Sequence, residues 1–157
     1  NMNLVSKYYE AIKACLNDNV STNIDMLSDI VAACSTIPYG DKHSPEKNEL
    51  MEKSYNLCKM LCDKGVDAGA GRSKVGVLSK IYSPIVEEDE ASIEFIFNVC
   101  KLLMDAGADL HGDKDSRSNE KTIDSICRKD FSNKLREKLE SYYSQHFNCD
   151  EDEKELI

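Results

Sequence analysis

The sequence lacks the features that mark membrane-spanning, secreted and nucleic-acid-binding proteins. Its 157 residues contain no apolar run of about 18 residues, the length that a transmembrane helix needs. The first residues do not form the charged and then apolar pattern of a secretory leader, so we expect neither a membrane span nor secretion. There are 20 basic against 29 acidic residues and no basic stripe that could neutralise phosphates. We therefore expect no nucleic-acid partner and no membrane partner.

The residue spacings of metal sites and of cysteine catalysis are lacking as well. Structural zinc sites use short C-x-x-C pairs and four ligands, whereas Cys58 and Cys62 lie one helical turn apart with no second pair nearby. The histidines His43, His111 and His146 are scattered along the chain, so no histidine is paired in sequence with a cysteine nucleophile. We expect no metal site, no cofactor and no enzyme activity.

The chain does contain an internal sequence repeat. Residues 55–67, YNLCKMLCDKGVD, return 42 positions later as residues 97–109, FNVCKLLMDAGAD, with seven of thirteen positions identical. A period of roughly 20 to 50 residues is typical of solenoid proteins, in which each unit buries its apolar face only against its neighbours. The sequence therefore predicts a repeat architecture.

Each copy has the pattern of an α-helix followed by a fixed turn. Apolar and small residues recur at spacings of three and four, which places them on one side of a helix. The glycines Gly65 and Gly107 stand where a helix ends with a left-handed residue, a conformation that glycine adopts without strain. Asp67 and Asp109 follow, and their side chains can accept hydrogen bonds from nearby backbone amides and fix the turn. The matching apolar and small positions are Met51, Ser54, Tyr55, Cys58, Leu61 and Cys62 in one copy, and Ile93, Ile96, Phe97, Cys100, Leu103 and Met104 in the other.

Residues 99–111, VCKLLMDAGADLH, resemble the second helix and loop of an ankyrin repeat, whose pattern is V-V-K-L-L-L-x-x-G-A-D-V-N. The resemblance implies an all-α fold, an ankyrin-like solenoid of about three to four repeats, each with two antiparallel helices and a projecting finger loop. It also implies recognition of a partner by the fingers and the inner helices. The family pattern T-P-L-H-x-A is absent from residues 24–34 and reduced at Thr122 to Cys127, so the inner helices depart from the family.

The repeat divides the chain into units of similar length. Shifting the repeat back by 88 positions places Asn19 where Gly107 stands, and asparagine is the next best left-handed cap. We predict helices over 24–34, from Pro45 onward, over 75–82 and over 91–106, with a last helix spaced by Phe131, Leu135, Leu139 and Tyr142. We expect residues 35–48 to be an insertion between two helices. The units are an ankyrin-like domain 1–144, made of an N-terminal half repeat 1–22, repeats 23–70 and 71–111 and a C-terminal cap repeat 112–144, followed by an acidic tail 145–157.

Seven cysteines are many for this length, but their number is odd and several lie on predicted buried helix faces. Cys58 and Cys100 occupy matching repeat positions, where a small apolar residue is expected. Buried free cysteine behaves as a small hydrophobe, so these positions favour a reducing compartment over a disulfide framework. We expect a cytoplasmic protein, including the case of an effector delivered into a host cell.

Partner-binding residues are expected on the loops, because a rigid scaffold commonly presents them there. The function that the resemblance implies is protein–protein interaction through the concave face and fingers, as a scaffold or a host-directed effector, with the chain itself a monomer. Two alternatives remain open: a regulatory or targeting domain of a larger protein, and an enzyme on a helical scaffold. The predicted first finger is residues 67–74, and the predicted second finger is residues 111–121. The candidate contact residues are Tyr39 in the insertion, Arg72 and Lys74 in the first finger, and Asp113, Lys114, Asp115 and Arg117 in the second.

Overall fold

The structure is a computed structural model, and most of the residues that it describes are helical. No β-strand is found among those residues, so the predicted all-α class is confirmed. The described residues are 4–17, 24–34, 45–70, 76–81, 90–111, 123, 126–127 and 133–147.

Five α-helices and one short 3₁₀ helix make up the described chain. They are α1 (Leu4–Asn17), α2 (Ile24–Cys34), α3 (Pro45–Asp63), the 3₁₀ helix (Gly76–Lys80), α4 (Glu90–Asp105) and α5 (Asn133–Phe147). Helix α3 begins at a proline, which suits the first helical turn because its missing N–H would have no partner there. An acidic residue also lies in the first turn of α2, α3 and α4, where it is favoured by the helix dipole.

The helices lie in two rows. In the first row α1 contacts α3, α3 contacts α4, and α4 contacts α5, so that these helices follow one another in chain order. In the second row α2 contacts the 3₁₀ helix. The rows are joined because α2 also packs on α1 and α3, and the 3₁₀ helix packs on α4.

The buried apolar side chains of the described residues form one hydrophobic cluster. Every described helix from α2 to α5 contributes side chains that are fully shielded from solvent. An apolar stripe along one side of a helix is the pattern that predicts such burial. Ile126 adds to this core from the segment before α5. The largest of these side chains are Leu27, Ile30, Leu57, Leu61, Leu78, Ile81, Ile96, Leu103, Met104, Leu110 and Ile126.

The helix bounds agree closely with the sequence except at two places. The predicted helix 75–82 is a 3₁₀ helix of five residues, closed by a bond of 3.1 Å from Ile81 N to Leu78 O. Such short connecting turns often take this tighter form. Helix α5 continues to Phe147, beyond the expected end of the cap repeat at 144, because His146 packs on Tyr142 and Phe147 stacks on Tyr143.

Candidate functional site

The loops that follow α3 and α4 begin with the same two features. Gly65 and Gly107 have φ angles of 91° and 113°, values that favour glycine, as the sequence predicted. The Asp67 carboxylate accepts a hydrogen bond of 3.0 Å from Gly69 N, and the Asp109 carboxylate accepts one of 2.9 Å from His111 N. Each copy of the repeated stretch therefore ends in the same turn.

The two loops also touch each other. The backbone N–H of Ala68, in the first loop, donates a hydrogen bond of 3.0 Å to the carbonyl of Ala106, at the end of α4. A Cβ atom placed on Gly107 would lie 2.8 Å from Asp67 Oδ1, so the second loop crosses directly beside the first. The two loops are thus joined directly by a hydrogen bond of the main chain.

A further backbone hydrogen bond joins the start of the first predicted finger to the residues that follow it. Val77 N, which follows the undescribed residues 71–75, donates a hydrogen bond of 2.9 Å to Ala68 O. The neighbouring Gly76 has φ 56°, and a Cβ there would lie 1.8 Å from the same carbonyl oxygen. Only glycine fits this approach, so both ends of the finger are anchored to Ala68.

None of the seven predicted contact residues lies in the part of the chain that the structure describes. Arg72 and Lys74 fall between Ala70 and Gly76, and the second-finger candidates Asp113, Lys114, Asp115 and Arg117 follow His111. Tyr39 falls between α2 and α3. The described residues include the start of the first predicted finger, the residues that follow it, and the start of the second. Partner binding by the seven candidate residues therefore stays a prediction.

A side-chain cluster at the base of the second finger was not predicted. His111 Nε2 lies 2.9 Å from Glu140 Oε2, and the His111 ring stacks on Tyr143 with centroids 4.0 Å apart and planes 7° apart. Glu140 and Tyr143 belong to α5, so this cluster fastens the second finger to the last helix. The sequence signal was a histidine at the finger start and an aromatic pair in α5, but nothing local links the two.

A second contact joins α4 to α5. The Tyr142 hydroxyl donates a hydrogen bond to Asp105 Oδ1. Burial, and then this hydrogen bond and the negative charge of Asp105, raise the pKa of Tyr142 to about 12. The hydroxyl therefore stays protonated well above neutral pH and remains a donor.

An open groove lies beside this contact. It has a volume of about 350 Å³ and is lined by Phe97, Tyr142 and four polar side chains of α5, Glu137, Lys138, Ser141 and Gln145. Lys138 Nζ sits 5.1 Å from the centre of the Phe97 ring and 3.0 Å from Glu94 Oε2. Phe147, whose ring contacts Tyr142, is 39% exposed.

The buried cysteines have the properties of core residues and not of nucleophiles. Cys58 and Cys100 are fully buried, whereas Cys62 is only partly so. A hydrogen bond with Cys34 and burial raise the pKa of Cys58, and burial raises the pKa of Cys100. Burial also raises the pKa of Cys62 to about 11. All three thiols are therefore protonated at neutral pH, and a thiol is a far weaker nucleophile than a thiolate.

Among the described residues, no group of three or more histidine, cysteine, aspartate or glutamate side chains could hold a metal ion. Within that same part of the chain, no helix is both long and apolar enough to cross a membrane. No protein-family profile, curated protein sequence or solved structure matches this chain.

Proposed function

We propose that this chain is a protein-binding module that presents its finger loops from an ankyrin-like helical repeat. The observation that carries the proposal is the bonded pair of finger bases, in which Ala68 N donates to Ala106 O at 3.0 Å. Two copies of one turn, set side by side and joined by their backbones, form a regular support for variable loops.

The repeat architecture is itself part of the proposal, with the unit bounds given by the sequence over residues 1–144. It is supported by the row α1, α3, α4 and α5, in which each helix packs on the next in chain order. It is also supported by matching burial at matching positions. Cys58 and Cys100 are fully buried, as are Leu61 and Leu103. A solenoid buries its core in this way, unit against unit.

A fixed base is useful for binding because association costs conformational entropy. Loops that are already held at both ends lose less freedom when a partner docks, so more of the contact energy appears as affinity. The first finger starts and ends on Ala68, and the second starts from the Asp109 turn and the His111 cluster. Charged side chains on such loops are well placed to select a partner.

The proposed partner is another protein, and the proposed setting is a reducing compartment such as the cytoplasm. The six described cysteines form no disulfide, and four of them are buried. Oxidation of a buried thiol would require the core to open, so this cysteine content suits a reducing environment.

The test compares three versions of the whole chain as bait in a quantitative pull-down under reducing conditions. The first is the unaltered chain. The second reverses four finger charges, Arg72→Glu, Lys74→Glu, Asp113→Lys and Asp115→Lys, so that the net charge of −9 is unchanged. The third exchanges the exposed pair on α3, Lys59→Asp with Asp63→Lys, which also keeps the net charge.

The expected result is a protein captured by the unaltered chain and by the α3 control but lost from the finger variant. Titration of that purified protein should then show at least a tenfold weaker Kd for the finger variant, which corresponds to about 1.4 kcal/mol. Equal affinity for all three chains, with equal helicity by circular dichroism, would show that the fingers are not the binding surface. If the unaltered chain captures nothing above background, the binding-module proposal fails.

A further inference from the structure

We draw no further inference here: the strongest candidate, the open groove between α4 and α5 that Phe97, Lys138 and Tyr142 line, is bordered by side chains of both charges, and nothing in the structure shows what covers it.

Discussion

The loop after α3 and the loop after α4 begin alike and continue differently. In both, an aspartate carboxylate accepts a hydrogen bond from the backbone two residues later. The residue that donates this bond is Gly69 in the first loop and His111 in the second, at matching positions of the repeat. Gly69 is buried, whereas the His111 ring is exposed and reaches Glu140 on α5.

The difference follows from what lies beside each loop. The first loop has the second loop against it, because Gly107 passes next to Asp67 and Ala68 bonds to Ala106. The second loop has α5 beside it, which leaves room for an imidazole ring. The loop after α3 is therefore held to the loop after α4 by a backbone hydrogen bond, whereas the loop after α4 is held to α5 by a side chain.

The largest expected effect comes from adding a methyl group where the first finger closes. In Gly76→Ala the Cβ would lie 1.8 Å from Ala68 O, in a left-handed conformation. We expect a loss of stability of about 2–5 kcal/mol, the sum of left-handed strain of about 1–2 kcal/mol and overpacking of about 1–3 kcal/mol. Urea unfolding followed by far-UV circular dichroism measures it.

Gly65→Ala is the matched control for that experiment. Gly65 also has a positive φ, but nothing lies within 4 Å of its added Cβ, so only the strain of about 1–2 kcal/mol is expected. Equal losses in the two variants would mean that the first finger is not closed on Ala68.

The next effect tests whether the two loops are coupled. In Gly107→Ala the new Cβ would come within 2.8 Å of Asp67 Oδ1, which must move and weaken its bond to Gly69 N. We expect a loss of about 2–3 kcal/mol, which combines strain with a lost hydrogen bond of about 1 kcal/mol. In an Asp67→Ala background that bond is already absent, so Gly107→Ala should cost about 1 kcal/mol less there.

The double-mutant cycle is informative because the sign of the coupling energy between Asp67 and Gly107 is predicted in advance. Asp109→Ala in place of Asp67→Ala removes the equivalent turn bond of the second loop and serves as the control. If the costs of Asp67→Ala and Gly107→Ala simply add, the close approach of the two loops is wrong.

The elements that the sequence predicted are those that depend on neighbouring residues. The stripe of α4 was read from spacings of three and four, and the turns at Asp67 and Asp109 from a side chain that bonds two residues ahead. Such patterns are complete within one unit of the repeat. For that reason α2 and α4 were placed to within a residue of their observed bounds.

The contacts that the sequence did not predict join residues far apart in the chain. Ala68 meets Ala106, and His111 meets Glu140, only because α4 packs against α3 and α5 at a particular distance and angle. Periodicity predicts which face of a helix is buried, but it does not give that distance. The need for glycine at Gly76 has the same origin, since it is set by the carbonyl of Ala68. The finger tips, including Arg72 and Arg117, lie outside the described residues and remain predicted from sequence alone.

A smaller effect concerns the contact that joins α4 to α5 and depends on pH. The pKa of Tyr142 is raised to about 12, against about 10 for a tyrosine in an unfolded chain. The folded state therefore holds the phenolic proton more tightly, so this contribution to stability is complete below pH 10 and is lost as the pH rises toward 12.

Tyr142→Phe should cost about 1 kcal/mol at neutral pH, because it removes the hydrogen bond to Asp105. The stability difference between this variant and the unaltered chain should shrink between pH 10 and pH 12. Ultraviolet absorbance of the phenolate should show one of the seven tyrosines titrating late, and this late transition should be absent from Tyr142→Phe. Asp105→Asn, which removes the charge but keeps an acceptor, should bring the transition to lower pH. A Tyr142 that titrates near 10 in the folded chain would contradict the contact.

The smallest expected effect concerns the contact that holds the second finger against α5. The His111–Glu140 pair is about 40% exposed on each side, so solvent screens it, and we expect a coupling of about 0.5 kcal/mol from a cycle of His111→Ala and Glu140→Ala. His111→Phe keeps a ring that can stack on Tyr143 but cannot donate to Glu140. If stacking holds the finger, His111→Phe should be nearly as stable as the unaltered chain, while His111→Ala is not. If the hydrogen bond to Glu140 holds it, the two variants should lose the same amount. Either outcome keeps the contrast with Gly69, which has no side chain of its own. A His111→Ala variant of unchanged stability would remove that contrast.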